Sequence, residues 1–380
     1  MFHGLFLKCC NFMKIVIYGP NFVKPKGSYG SGVGGYVRNM KTYNYLYKKS
    51  TNSTMNIFHT VRGQNYGFKE FFIIRLFSDI IHFSIKILEF NPYAIHILAQ
   101  YRTAVYREFF IVLLCNISHI KVIYDIKAGA FINSYKNKNF IYKLFTYYVI
   151  KSSCVVLCEG KPVKYFLMKE FNKPSFYFPN FVLLNEIPNS VPQIFNKPCI
   201  HFLFVGFCYK SKGVFELVDS CNELAFSGFH VQLSIVGAEH PSFVKFLNEK
   251  KLSPNFTLHR YGKKSHEFAL NMFNKADIYV YPTRHPGEGH NNTINEALMY
   301  GRIIVTTRWG FLNSILSSNS CFFIDDITKQ NLLESFKLIL TNKEEARTVA
   351  LNGRSLLELN FTEKYASQVL KKTHNYLKIC

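Results

Sequence analysis

Acidic side chains are scarce in this chain. Across 380 residues, 24 Asp and Glu stand against 46 Lys and Arg, a formal charge of +22. Such an excess implies an anionic partner: nucleic acid, nucleotide phosphates or an acidic membrane face. Much of the lysine lies among Asn, Tyr and Phe, a composition an AT-rich genome also produces, so the charge permits these partners without choosing one. No recognised nucleic-acid module accompanies it, which sets nucleic-acid binding aside. The 10 cysteines include no C-x-x-C pair. Cys154 and Cys158 are the only close pair in the middle of the chain, and no histidines cluster there, so reduced cytosolic thiols are expected rather than a metal site. No H-E-x-x-H spacing occurs either. Apolar runs such as FFIVLLC (109–115) fall far short of a membrane span. The opening MFHGLFLKCCNF is a poor secretory signal, and Met13 directly precedes a typical first strand, so the first twelve residues read either as part of the chain or as the product of an upstream start codon. A cytoplasmic chain is expected.

What is present is alternation. Strands are predicted at 14–19 (KIVIYG), 55–60, 94–98, 120–126 and 153–158, with helices near 35–48, 69–88, 103–116, 138–150 and 161–171. A Pro- and Asn-rich stretch, FPNFVLLNEIPNSVPQIFNKP (178–198), interrupts the series and reads as a linker. Strands resume at 199–206, 230–237, 256–260, 277–282, 302–307 and 321–324, and helices near 328–340, 343–358 and 363–377 close the chain. Continuous apolar strands separated by helix-length segments indicate parallel sheets covered on both faces. The expected fold is therefore α/β, with two Rossmann-like doubly wound domains facing across a cleft. Its parts are residues 13–182, a linker at 183–198, residues 199–359, and a C-terminal helical segment at 360–380. In such sheets ligands bind beyond the carboxyl ends of the strands, so chemistry is expected in the loops that follow them.

Three loops qualify. The first, GPNFVKPKGSYGSGVGGYVRN (19–39), is glycine-rich and leads into a helix, where Gly34 and Gly35 would leave backbone N–H groups open to a phosphate or a sugar hydroxyl. No acid is placed after it to hold a ribose, so it does not read as a dinucleotide site. The second, FLFVGFCYKSKGVFELV (202–218), sets Gly206, Lys210 and Lys212 before a helix start. That arrangement suits a pyrophosphate or, alternatively, is a solvated basic loop. The third, HPGEGHNNTINEALMYG (285–301), holds Glu288 between two glycines and Glu296 within a helix. Carboxylates accept paired sugar hydroxyls well; an exposed helix glutamate is the alternative for Glu296 alone.

The third loop resembles the glutamate–seven residues–glutamate motif of retaining glycosyltransferases with the GT-B fold, glycosyltransferase family 4 in particular. KIVIYGP with GGYVRN resembles the family's first strand and acceptor loop, FPN (178–180) the entry to the second domain, and VGFCYKSKGV the donor-phosphate loop. The resemblance implies an N-terminal acceptor domain and a C-terminal nucleotide-sugar domain, with the last helix packed back on the first. It implies that Glu288 contacts the donor sugar near the reacting carbon and that Glu296 holds the ribose. Gly289, His290, Asn291 and Asn292 would bind sugar and phosphate, Lys212 would neutralise the departing diphosphate, and Gly34 and Gly35 would line the cleft. Retention would need no protein nucleophile, no cofactor and no metal, and no D-x-D motif stands near a strand end. Base selectivity would rest on Tyr261, Gly262 and the 236–240 loop.

Two positions depart from the pattern. Phe207 stands where the family carries an arginine, with Lys210 as a shifted substitute. Asp125 and Lys127 stand where many members carry a histidine, Lys127 as a donor and Asp125 as orienter of the acceptor. The expected activity is transfer of a hexose from a UDP- or GDP-sugar to a glycan or lipid-linked acceptor, in surface polysaccharide synthesis. The competing readings are a catalytically inactive GT-B scaffold and a GT-B nucleotide-sugar epimerase. The apolar stretches 71–88 and 140–151, punctuated by Arg and Lys, read either as core helices or as a peripheral contact with an anionic membrane. Tyr101 and Arg102 either face the acceptor or begin an ordinary helix.

Overall fold

The computed structural model describes residues 13–19, 42–49, 51, 53–59, 72–99 and 103–380. The glycine-rich loop with Gly34 and Gly35, and the pair Tyr101 and Arg102, lie outside the described residues.

Two six-stranded sheets organise the chain. The first contains β1 (Lys14–Gly19), β2 (Thr54–His59), β3 (Ala94–Ala99), β4 (Lys121–Ile126), β5 (Val155–Cys158) and β6 (Ser175–Tyr177), in the order β2-β1-β3-β4-β5-β6. The second contains β7 (Ile200–Val205), β8 (Val231–Val236), β9 (Phe256–Gly262), β10 (Ile278–Tyr281), β11 (Ile303–Thr307) and β12 (Phe322–Ile324), in the order β12-β11-β10-β7-β8-β9. Every pairing is parallel. The reason lies in the runs themselves. β3 is buried at every position and β1 at all but its first, so both faces need cover and helices must return the chain between strands.

One face of the first sheet is covered by helices Phe72–Phe90, Ala104–Ile117 and Phe140–Ser152, packed side by side. On the other, Ile15, Ile17, Ile123 and Leu157 meet Tyr43 and Leu46 of the helix at 42–49, together with Val369, Leu370 and Leu377 of the final helix Glu363–Ile379. That final helix starts beyond the second sheet and returns to the first, where Val182 bridges Thr362. In the second domain, helix Val214–Phe226 buries Val214, Leu217, Val218, Cys221, Leu224 and Ala225. Steps of three and four residues give it one inward stripe.

The strands predicted from sequence are all present, within about two residues at their ends. Among the described residues, β6, three residues long behind Pro174, and helix Phe131–Asn137, whose FINSYKN carries too little periodicity to be read, were not predicted. The stretch 178–198 is more than a tether. Buried Arg302 donates to the carbonyls of Pro192, Ala276 and Tyr300, and Arg354 to those of Pro188 and Met299, so two guanidinium groups fix the crossing segment to the second domain. The expectation of reduced thiols fails at one pair. The return of the last helix brings Cys380 beside Cys154, and the two form a disulfide.

Candidate functional site

In the second sheet β7 and β10 are neighbours, yet the chain leaves them in opposite directions, towards β8 and towards β11. A crevice opens beyond the carboxyl ends at such a point. Lys212 and Glu288 stand in the two loops that border it. The loop after β7 becomes the short turn Lys210–Lys212 and then helix Val214–Phe226. Gly213 between them has φ of +66°, and a Cβ there would collide with the carbonyl of Pro282, which leaves β10. Glycine therefore lets the two loops touch.

Glu288 is 5% exposed, and its carboxylate is filled with donors. Lys212 Nζ and the Thr283 hydroxyl, at 2.8 Å, reach Oε2; the Tyr281 hydroxyl, at 2.8 Å, and Asn291 Nδ2, at 3.3 Å, reach Oε1. Lys212 also donates to the Tyr281 hydroxyl at 2.8 Å and lies 5.1 Å from that ring's centre. Burial and the Glu288 charge hold the Tyr281 phenol well above its usual range, so it stays protonated as a donor. Asn291 also caps helix Asn292–Met299, its side-chain oxygen accepting from the Thr293 amide.

Glu296 lies in the second turn of that helix, also buried, and its Oε1 is 2.9 Å from Nε2 of His266. His266 opens helix His266–Lys275, directly after β9. The motif's two carboxylates thus bind partners from different loops, one after β7 and one after β9.

The first domain meets this loop at two glycines. A Cβ on Gly129, after β4, would strike the backbone of Glu288, and one on Gly289 would strike the carboxylate of Glu159, after β5. Glu159 accepts from the His290 amide across the domain boundary. The His290 carbonyl accepts from Asn180, and the Asn180 carbonyl from Asn295 at 3.0 Å. Burial pushes the Glu159 carboxyl up to about 7, against the opposing pull of Lys127 and the His290 amide. Burial also lowers the His290 imidazole to about 4, leaving it neutral with Nε2 2.8 Å from Asn295 Oδ1.

The other sequence candidates are placed as follows. Gly206 directly follows β7, close enough to the end of β8 that a Cβ on Gly237 would meet its carbonyl. Lys210 is exposed at the start of its turn, and Asn292 is the half-buried first residue of its helix. Phe207 is 40% exposed and stacks with Tyr209 at 6.0 Å. Asp125 is turned into the interior, 3.3 Å from His96, whose other ring nitrogen is 2.9 Å from the Tyr47 hydroxyl. Lys127 donates to the Phe178 carbonyl at 2.7 Å and lies 3.7 Å from Asp125. Glu288, Gly289, His290, Asn291 and Lys212 therefore form one cluster, whereas Asp125 belongs to the core beneath it. Sequence reasoning missed Tyr281, Thr283, His266, Glu159 and Asn180. The first two stood within the same loop region; the others carry no local signal. Among the described residues, no three His, Cys, Asp or Glu are grouped to hold a metal, and no helix is long and apolar enough to cross a membrane.

Two parallel doubly wound sheets meeting at their carboxyl ends define the GT-B architecture. Residues 199–342 match the family described as Glycosyl transferases group 1, so the second domain is a group 1 glycosyltransferase domain. The capsular polysaccharide biosynthesis glycosyltransferase CapM of Staphylococcus aureus is 22% identical over 178 residues, spanning 45% of this chain and 45% of CapM, less than half the length of either. Sucrose-phosphate synthase of Thermosynechococcus elongatus superposes with a TM-score of 0.75 at 14% identity, covering 97% of this chain and 99% of that one. Anabaena HepE, solved in complex with UDP and glucose, gives 0.67 at 11% identity, covering 96% and 99%.

Proposed function

We propose that the chain is a retaining glycosyltransferase that moves a hexose from a UDP- or GDP-sugar to a glycan or lipid-linked acceptor in polysaccharide synthesis. The observation that carries this reading is the Lys212–Glu288 pair at the switch point. Breaking a sugar–phosphate bond builds negative charge on the diphosphate and positive charge on the sugar. A lysine beside two helix starts answers the first, and a buried carboxylate answers the second. Lys212 would leave Glu288 for the incoming diphosphate, freeing carboxylate oxygens for sugar hydroxyls. Glu296 would take the ribose hydroxyls, positioned by His266. Gly289, His290, Asn291 and Asn292 would supply backbone and amide contacts to sugar and phosphate, and Lys210 would reach the phosphates from the rim. The names of CapM and HepE favour polysaccharide synthesis and a UDP donor. The contact of Gly129 and Glu159 with the 288–290 loop supports a domain closure that keeps water from the donor.

One observation favours a second reading. Phe207 exposes an aromatic ring where the resemblance puts an arginine, as a scaffold that had lost catalysis would. A thermal-shift panel of UDP-, GDP-, ADP- and dTDP-sugars, with a transfer assay, tests both. The transferase reading expects one clear binder, a large loss of its shift in Glu296→Ala, and turnover. Absence of any shift and of any transfer or donor hydrolysis would leave the scaffold.

A further inference from the structure

Phe207, Tyr209 and His240 form an aromatic cluster in the loops that leave β7 and β8. The Tyr209 amide donates to the Phe207 carbonyl at 2.9 Å, so the chain turns tightly around buried Cys208. The two rings come to lie side by side, 23° from parallel, and are 40% and 43% exposed. His240 stands edge-on to both, its ring centre 5.2 Å from that of Tyr209 and 6.4 Å from that of Phe207.

The backbone beneath the rings is fixed from several sides. Cys208 bridges Glu239: the Cys208 amide donates to the Ala238 carbonyl at 2.8 Å, and the His240 amide to the Cys208 carbonyl at 3.3 Å. Arg260 of β9 donates to both oxygens of Glu239. The His240 imidazole accepts from the Ser242 amide at 3.2 Å, at the start of helix Pro241–Asn248. Rings on so fixed a backbone lose little conformational freedom when a ligand covers them. Their faces carry partial negative charge. The C–H groups on one side of a pyranose ring are apolar and partly positive, and match them.

Retention without a protein nucleophile sets where the acceptor must enter. The acceptor oxygen bonds the anomeric carbon on the side where the bond to the diphosphate breaks. The electron pair leaves on the diphosphate, which takes up the hydroxyl proton. Groups beside the diphosphate therefore stand beside the acceptor as well. Lys212 receives the diphosphate in the reading above, and Phe207 and Tyr209 precede it in the same loop. We propose that Phe207 and Tyr209 form a stacking subsite for a pyranose ring of the acceptor. The inference rests on the transferase reading and deepens it: the exposed ring at 207 then holds the acceptor and marks no loss of catalysis. A nucleobase fits the rings less well. Glu296 and its partner His266, after β9, draw the ribose towards a strand two places from β7.

Saturation-transfer NMR tests the subsite, with methyl β-D-glucopyranoside and methyl β-D-galactopyranoside as probes, read with and without UDP while the protein's aromatic protons are irradiated. Saturation is expected at the ring protons of one pyranoside face. The double variant Phe207→Ala, Tyr209→Ala should reduce it roughly fivefold, and leave the Tm shift given by the sugar nucleotide unchanged. Phe207→Tyr keeps the ring and should keep the signal; Phe207→Leu keeps only the bulk and should weaken it. No signal from either glycoside in the wild type, or equal signal in the double variant, overturns the proposal. Loss of the sugar-nucleotide shift in the double variant also overturns it, since the rings would then hold the nucleotide. The glycoside signal and the wild-type sugar-nucleotide shift are separate measurements, so failure of the subsite is distinguished from failure of the transferase reading.

Discussion

Lys212 donates to the carboxylate of Glu288 across the point where the second sheet changes direction, joining the loops that follow β7 and β10. Two loops that are neighbours only in the folded chain thus share one polar centre, and it is nearly closed to water. Lys212→Met removes the cation and one of four donors to a buried carboxylate. The loss of leaving-group stabilisation should lower kcat about 10²–10³-fold, and leaving the buried carboxylate without its cation should cost about 1–3 kcal/mol of stability. Steady-state transfer and thermal unfolding read the two effects separately. The expected drop in stability with unchanged kcat would mean the pair is structural.

The His266–Glu296 contact has a narrower consequence. His266 Nε2 lies 2.9 Å from Glu296 Oε1, so it acts by holding that carboxylate in place. His266→Ala should weaken binding of the cognate nucleotide roughly fivefold, about 1 kcal/mol, in calorimetric titration. Lys212→Met retains this contact, so its affinity for the nucleoside alone should stay near that of the wild type.

Glu159 and His290 titrate in opposite senses. The Glu159 carboxyl is raised from 4.5 to about 7, so its stabilising effect is complete below pH 4.5 and is lost as pH rises through 7. The His290 imidazole is lowered from 6.5 to about 4, so its effect is complete above pH 6.5 and is lost as pH falls through 4. Each shift amounts to roughly 3 kcal/mol, and between pH 4.5 and 6.5 the two nearly cancel. Wild-type Tm should therefore contain little slope from this pair. Glu159→Gln should make Tm rise with pH across that window, and His290→Gln should make it fall. Parallel slopes in the two variants would show that the pair does not control the linkage.

Much of the scaffold was legible because parallel strands buried on both faces must read as unbroken apolar runs, as in IVIY of β1 and IIV of β11. The cluster around Glu288 was legible for a related reason. Glu288, Asn291 and Glu296 lie within nine residues, and Lys212 follows a strand and precedes a helix, so local order placed them. Glu159 was not legible: a lone Glu after VVLC gains meaning only when the fold brings it to His290, 131 positions away. Asp125 misled for the opposite reason. It stands at a strand end, where ligands are expected, but its side chain points to His96 within the sheet. β6 escaped because three residues leave no period to detect.

Gly129 and Gly289 separate local fit from domain closure. A methyl on Gly289 would meet the far end of the Glu159 side chain, which can swing aside at the cost of its bond to His290; a methyl on Gly129 would meet the backbone of Glu288, which cannot. Neither glycine has a backbone conformation reserved for glycine, so alanine leaves each domain's own fold unstrained. Gly129→Ala should therefore push the 288–290 loop from the first domain, raising the radius of gyration in solution scattering and lowering kcat by about tenfold or more. Gly289→Ala should do less in scattering and should lose the pH slope that Glu159 contributes. If Gly129→Ala turned over at the wild-type rate with unchanged scattering, contact between these two loops would be no part of the catalytic state.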